Sequence, residues 1–337
     1  MHPLLVDTMR RHAGVFTTAE ALGAGVDHNA IGPLVRSGAW WRIRYGVYTT
    51  GELWRRHEAQ GRTHRLECAA ALRRLDRPGV VVSHDSAARL HRLVVPRSTG
   101  AEVRLTDPMQ FRTGRGYRVS QASLTHTDVV LLEGLPVTTV TRTLADVARE
   151  WSFTDAVVAA DDALADGRTT SAELRTASLA QTHWVGCGNA ARAFSAARVG
   201  AHSPHETRTR LALAAAGLPE PLLQQAVLVD GRLVAVLDMY WPEQGVFLEC
   251  DGMVKYADPW RGRTPAEVLW EEKRRQDQLL DLDLHGLRVA PGDLRVDWHV
   301  KVARLSVLLQ RGRRAVPGYR TTSWNDGLRT PHRAAAG

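Results

Sequence analysis

The dipeptide Asp230-Gly231 constrains this chain more than any other pair of residues. It separates two apolar runs, 226–229 and 232–240. Asp-Gly between such runs closes a tight β-hairpin, because both turn positions take positive φ. A third apolar stretch, 245–250, ends at a second Asp-Gly pair, Asp251-Gly252. Ahead of the hairpin, Ser203-Pro204-His205-Glu206 opens a helix with an acid in its first turn, and Gly217 suits the end of that helix. Behind it come a charged helix over 265–284, a strand over 287–290 and a closing helix over 297–310. The order α-β-β-β-α-β-α describes one mixed-sheet domain over 201–310.

Acids stand where the strands of that sheet should be apolar. Asp238 follows Val236-Leu237, Glu249 follows Phe247-Leu248, and Asp251 falls two residues on, on the same face as Glu249. A lone buried carboxylate is costly, so clustered acids beside apolar strands call for a cation. Carboxylate oxygens with positions left open for water suit Mg²⁺ or Mn²⁺. Such an ion activates water and offsets the charge that builds on a phosphate under in-line attack.

The N-terminal region has a different grammar. A short helix spans 3–12. Thr17 and Glu20 have the spacing of a capping box, and Asp27 can cap a further helix toward Arg36. From Trp40 to Tyr48, Trp41 and Ile43 alternate with Arg42 and Arg44 and the chain turns at Gly46, which predicts a basic hairpin. Three helices and a hairpin are the order of a small winged helix, expected over 1–55. Residues 56–200 read as a mixed α/β region. It has helices over 58–75, 83–93, 155–165 and 171–180, another opened by Thr141 or Thr143, and strands near 80–82, 103–106 and 117–119.

The 337 residues carry 44 Lys and Arg against 36 Asp and Glu, and the excess sits at the ends. Residues 1–66 hold nine arginines against five acids, and 311–337 hold six against one. Residues 203–310 hold thirteen cations against sixteen acids, so that domain is net negative. A basic excess of this kind suits a nucleic-acid partner, although the base composition of a GC-rich genome would also produce it, since Lys255, Lys273 and Lys301 are the only lysines. The last segment, 311–337, reads as a basic disordered tail. No apolar run reaches the length of a membrane span and the first residues leave no room for a leader core, so the chain is expected in the cytoplasm and away from membranes. Cys68, Cys187 and Cys250 form no paired motif, which argues against a disulfide framework or a structural zinc site. Gly114-Arg115-Gly116 lacks the rest of a nucleotide-binding signature, and the histidine pairs have no HExxH frame.

Four stretches together resemble the restriction-endonuclease-like domains related to very-short-patch repair endonucleases, within the PD-(D/E)XK superfamily. They are Ser203-Pro204-His205-Glu206, Leu237-Asp238-Met239-Tyr240-Trp241-Pro242, Leu248-Glu249-Cys250-Asp251-Gly252, and the helix from Trp270 to Asp277. The resemblance implies Asp238 and Glu249 as metal ligands, with Glu206 as an additional acid. Asp251 stands where the general superfamily motif has its lysine, which leaves Lys255 and Lys273 as candidates for that role. Separately, Val15-Phe16-Thr17-Thr18-Ala19-Glu20-Ala21-Leu22 and Arg42-Ile43-Arg44-Tyr45-Gly46-Val47-Tyr48 resemble the winged helix of AbiEi-type antitoxins. That resemblance implies DNA binding, with Arg36, Arg42 and Arg44 on phosphates, and a middle domain of the kind that accompanies such winged helices.

The expectation is a multidomain α/β protein that binds DNA and hydrolyses its phosphodiesters with a divalent metal. Asp238 and Glu249 would hold the metal, Glu206 or Asp251 would assist, and Lys255 or Lys273 would steady the phosphate. Two alternatives stand beside it. One is an antitoxin-type regulator with an inactive nuclease fold and a toxin as partner. The other is a scaffold for other proteins.

Overall fold

In a computed structural model the described residues are 2–251, 264–311 and 318–324. The chain folds as a multidomain α/β protein of two compact units. One comprises Met1–Ala159 and Arg168–Ala196, the other Ala160–Gly167 and Ala197–Gly337. Among the described residues no helix is long and apolar enough to cross a membrane.

The first unit opens with α1 (Pro3–Arg11), β1 (Phe16–Thr17), α2 (Thr18–Gly23), α3 (His28–Arg36), β2 (Trp40–Arg44) and β3 (Val47–Thr50). The start signals work as local chemistry requires. The Glu20 N–H donates to the Thr17 hydroxyl while the Thr17 N–H donates to the Glu20 carboxylate at 2.7 Å. Asp27 accepts the Asn29 N–H at 2.7 Å. Each satisfies a backbone donor that the first helical turn leaves without a partner. Pro33 is accommodated inside α3, which continues to Arg36. β1, β3 and β2 form an antiparallel sheet whose Phe16 meets the Trp40 ring edge-on at 4.7 Å.

The unit continues through α4 (Gly51–Ala59), α5 (Thr63–Leu75), β4 (Val81–Val82), α6 (His84–Leu90), β5 (Val103–Asp107), β6 (Arg112–Gly114), β7 (Tyr117–Gln121), β8 (Val129–Leu132) and β9 (Leu135–Thr138). Then come α7 (Val140–Ala148), α8 (Phe153–Ala165), whose residues from Ala160 on belong to the second unit, α9 (Ser171–Leu179) and α10 (Cys187–Ala196). The strands make a mixed sheet in the order β6-β7-β5-β4-β9-β8. One core runs through this region and back into the first elements, packing Val15, Val47 and Trp54 with Leu66, Val82, Leu105 and Val137. The helix expected over 58–75 is two helices, because Gly61 at φ 64° breaks the run. The cap expected of Thr141 or Thr143 belongs to Thr139. Strands β6 and β8 and helix α10 carry no strong local signal.

The second unit contains α11 (Pro204–Ala215), β10 (Leu222–Val229), β11 (Arg232–Trp241), β12 (Val246–Cys250), α12 (Pro265–Asp281), β13 (His285–Val289), α13 (Trp298–Gln310) and β14 (Arg320–Ser323). Its sheet runs β13-β12-β11-β10-β14, with β12 and β13 parallel and the other pairs antiparallel. The hairpin turns at Asp230 and Gly231, with φ of 47° and 76°. Leu213 of α11 and Leu305 of α13 pack with Met239 and Leu248, while Leu279 of α12 packs with Leu237 and Phe247. Helices therefore cover both faces of this sheet.

The tail expected to be disordered contributes a strand. β14 pairs with β10 in the register Gln225↔Ser323 to Leu228↔Arg320. Tyr319, just ahead of it, is buried, and its hydroxyl meets that of Tyr240 at 2.8 Å. Arg-Thr-Thr-Ser over 320–323 gives a strand too short and too polar to announce itself. It forms because the free edge of β10 supplies partners for its backbone.

Candidate functional site

The acids of the second unit gather where α11, β10, β11 and β12 meet. Glu206 is the third residue of α11, so one of its roles is structural. Its carboxylate accepts the Ser203 hydroxyl at 2.7 Å and the His202 N–H at 2.9 Å, while its own N–H donates to the Ser203 oxygen. Glu206 is 7% exposed. Asp238 lies on β11, and its carboxylate accepts the N–H of Cys250 at 2.8 Å. Between these two acids stands Gln224 of β10. Its amide nitrogen donates to Glu206 at 2.9 Å and to Asp238 at 3.1 Å. Gln224 takes φ 45°, a left-handed backbone unusual for a side chain of its size, and its carbonyl accepts the N–H of Trp324 beyond β14.

Burial raises the Asp238 carboxyl to about 7, and the neighbouring charges of Glu206 and Glu249 push the same way. The Cys250 N–H and the Gln224 amide pull against them without winning. Like charges sharing a desolvated place cannot all ionise cheaply. The Cys250 thiol is raised too, first by burial and then by Asp238, so it stays a neutral thiol.

Glu249 has a different environment. Both of its oxygens are held by Arg275 of α12, at 2.6 and 2.8 Å, and Arg288 of β13 approaches at 3.5 Å. Arg288 also reaches Asp251 at 3.6 Å and pairs with Glu272. A carboxylate gripped by a planar guanidinium fork is already neutralised and oriented. Asp251 is half-buried, and its N–H donates to the Val289 carbonyl at 3.0 Å. Lys273 is exposed on α12, two residues before the arginine that meets Glu249. Lys255 lies outside the described residues.

The sequence named the carboxylates, left Arg275 open between a solvated helix face and a functional role, and did not name Arg288 or Gln224. Arg288 had a faint signal, since a strand after the charged helix can pair beside β12, and Glu249↔Arg288 is that pair. Arg275 stood in the motif helix from Trp270 to Asp277, but the charges of α12 do not tell which turn faces the sheet, so its partner could not be read. Nothing in the sequence forecasts the backbone of Gln224.

Mg²⁺ favours a few carboxylate oxygens and keeps several waters. Glu206 and Asp238, bridged by one amide, match that pattern as a pair. Glu249 joins them only by releasing Arg275. Among the described residues no group of three or more His, Cys, Asp or Glu side chains is placed to hold a metal ion.

In the first unit, Arg36 and Arg42 are exposed and Tyr45, at the hairpin tip, is 83% exposed. Arg44 departs from its expected place on a phosphate. It donates to the carbonyls of Arg115 and Gly116 at 2.8 and 2.9 Å and lies over the Tyr117 ring. It ties the hairpin to the β6–β7 turn.

Ser86, His64 and Glu67 are linked like a hydrolytic triad, with contacts of 2.9 and 3.2 Å. Ser86 is completely buried and its oxygen accepts the Arg104 N–H, so no substrate carbonyl can reach it. These residues organise the core.

No family model and no curated protein matches the chain. Among solved structures it is similar to the RV2827C protein from Mycobacterium tuberculosis, at 14% identity and a TM-score of 0.37. That match spans 66% of this chain and 82% of that one.

Proposed function

We propose that the second unit hydrolyses nucleic-acid phosphodiesters with the help of a divalent cation, and that the exposed basic residues of the first unit, Arg36 and Arg42, hold DNA. One observation carries the reading. A carboxylate pair, Glu206 and Asp238, shares one amide beside a third acid, Glu249, that is bound to two arginines. Acids able to hold a cation and guanidinium groups able to hold a phosphate thus lie side by side.

Glu206 and Asp238 would hold Mg²⁺ or Mn²⁺, with Gln224 keeping their oxygens together. The cation would lower the pKa of a bound water and offset charge on the phosphate. Arg275 and Arg288 offer planar, multiply donating groups suited to phosphate oxygens. An incoming phosphate competes with Glu249 for Arg275, so Glu249 keeps that guanidinium placed until the substrate arrives. Asp251 restrains Arg288 in the same way.

Supercoiled plasmid and short duplexes incubated with Mg²⁺, Mn²⁺ or EDTA test this. Metal-dependent nicking that disappears in Asp238→Asn, with folding unchanged, supports the reading. Nicking that persists in Asp238→Asn sinks the assignment.

A second reading is an antitoxin-type regulator that binds DNA without cutting it. The double grip of Arg275 on Glu249 favours it, because a carboxylate so engaged is a poor metal ligand. Salt-sensitive binding of duplex with no cleavage in either metal would make it the leading account.

A further inference from the structure

Residues 203–310 are net negative, yet their cations are not spread evenly. A cavity of about 760 Å³ opens between α12 and α13 along β13, the edge strand of the sheet. Its walls carry Arg275, Arg288, Lys301, Arg304 and Arg311, with Glu249 as the acid among its lining residues. Arg304 and Arg311 have no acidic partner among the described residues. The lining also includes Gln276 and His285, and its exposed large apolar side chains are Leu280 and Val307, which are 49% and 52% exposed. A cavity of this size is ample for a small organic group.

We propose that this groove holds a single-stranded nucleic-acid segment, with phosphates on the α13 cations and a base over the apolar lining. The inference rests on the hydrolase reading above, whose Glu249 lies in the same groove. Arg304 in α13 and Arg311 at its C-cap lie seven positions apart, about 10 Å of helix, enough to meet successive backbone phosphates. Cations combined with a surface that takes bases are the ordinary means of holding single strands. A duplex keeps its bases stacked inside and cannot offer one to the lining. An acidic peptide added to the open edge of β13 would need the Arg288 carbonyl, and the Lys301 ammonium already occupies it at 2.8 Å. The charge pattern and the blocked edge together favour a strand of phosphates over a strand of peptide.

The test is fluorescence anisotropy of the full chain in EDTA, with a labelled twenty-residue oligothymidylate and a hairpin duplex as probes. Arg304→Glu/Arg311→Glu should weaken oligothymidylate binding at least tenfold and leave duplex binding within twofold. The milder Arg304→Gln/Arg311→Gln should lower the salt slope for the single strand by about 1.4, the value for two lost phosphate contacts. Unchanged single-strand affinity in both variants, or an equal loss for both probes, overturns the proposal. So does displacement of the oligonucleotide by polyglutamate at equal charge concentration. Nicking by the same proteins separates this inference from the reading beneath it. A chain that loses single-strand binding in the charge-reversal variant but never cleaves keeps the groove and removes the hydrolase. A charge-reversal variant that cleaves as well as the parent and also binds oligothymidylate as tightly keeps the hydrolase and removes the groove.

Discussion

Tyr319→Phe is the sharpest probe of the C-terminal strand. The Tyr240 side chain is 1% exposed, and its hydroxyl has the Tyr319 hydroxyl, 2.8 Å away, as its partner. Removing the Tyr319 oxygen leaves a buried polar group without its partner, which costs about 1–3 kcal/mol. We take about 1.5 kcal/mol, since Tyr319 itself retains 8% exposure and some water can reach the pair. Tyr240→Phe should cost a similar amount. Removing both oxygens deletes the whole interaction and leaves nothing unsatisfied at Tyr240, so the double variant should lie near either single one rather than at their sum. The two units do not share one unfolding transition by necessity, so a local readout is required. Hydrogen exchange of amides in β10 and β14 provides it, and about 1.5 kcal/mol corresponds to roughly tenfold faster exchange where local opening governs it. Additive effects of the two substitutions, or unchanged exchange in β10 after Tyr319→Phe, would refute the placement of this segment.

Other outcomes follow from the first unit. Burial opposes ionisation of Glu150, but two hydrogen bonds from Arg104 prevail and hold its pKa at about 2, below the ordinary 4.5. A depressed carboxylate stabilises the folded state above the unfolded pKa, so this contribution should be whole above about pH 4.5 and lost as pH falls toward 2. Glu150 is partly open to solvent, which reduces the effect to about 1 kcal/mol, and Arg104→Met should flatten that limb of an acid titration of stability. Arg44→Ala should lower thermal stability by about 1–2 kcal/mol by breaking two carbonyl contacts, with little effect on the salt slope of duplex binding. Arg42→Ala should do the reverse, and equal effects on binding would contradict the inward position of Arg44. A Cβ on Gly51 would lie 1.9 Å from the Gly38 carbonyl oxygen, so Gly51→Ala should destabilise by about 2 kcal/mol or more in thermal unfolding.

The features legible in the sequence are the ones whose chemistry is local. Thr17 with Glu20, Ser203 with Glu206, and Asp230 with Gly231 each work within four residues, and each is found where its pattern places it. Element order in the second unit was legible for the same reason. What escaped depends on partners far along the chain. Arg275 meets an acid 26 residues away, and Arg44 meets carbonyls more than 70 residues away. Gln224 owes its bridging position to a backbone conformation held in part by the Trp324 N–H. The pattern could name acids clustered on strands. It could not tell which of them a guanidinium would claim, because that depends on how α12 is rotated against the sheet.

The division of α8 gives the last residues of that helix to the second unit, where Asp161 is buried and accepts the Arg210 guanidinium at 2.8 Å, the Thr207 hydroxyl at 2.9 Å and the Arg198 N–H at 2.7 Å. Arg210 follows Asp161 by 49 residues. At about 5–20 residues per second, a ribosome needs roughly 2–10 s to deliver the guanidinium after the carboxylate. Throughout that interval the end of α8 must remain hydrated, and the second unit cannot close around it. The birth of this protein thus has a built-in waiting time, and a fragment started at residue 201 would carry Arg210 without the Asp161 carboxylate that receives it.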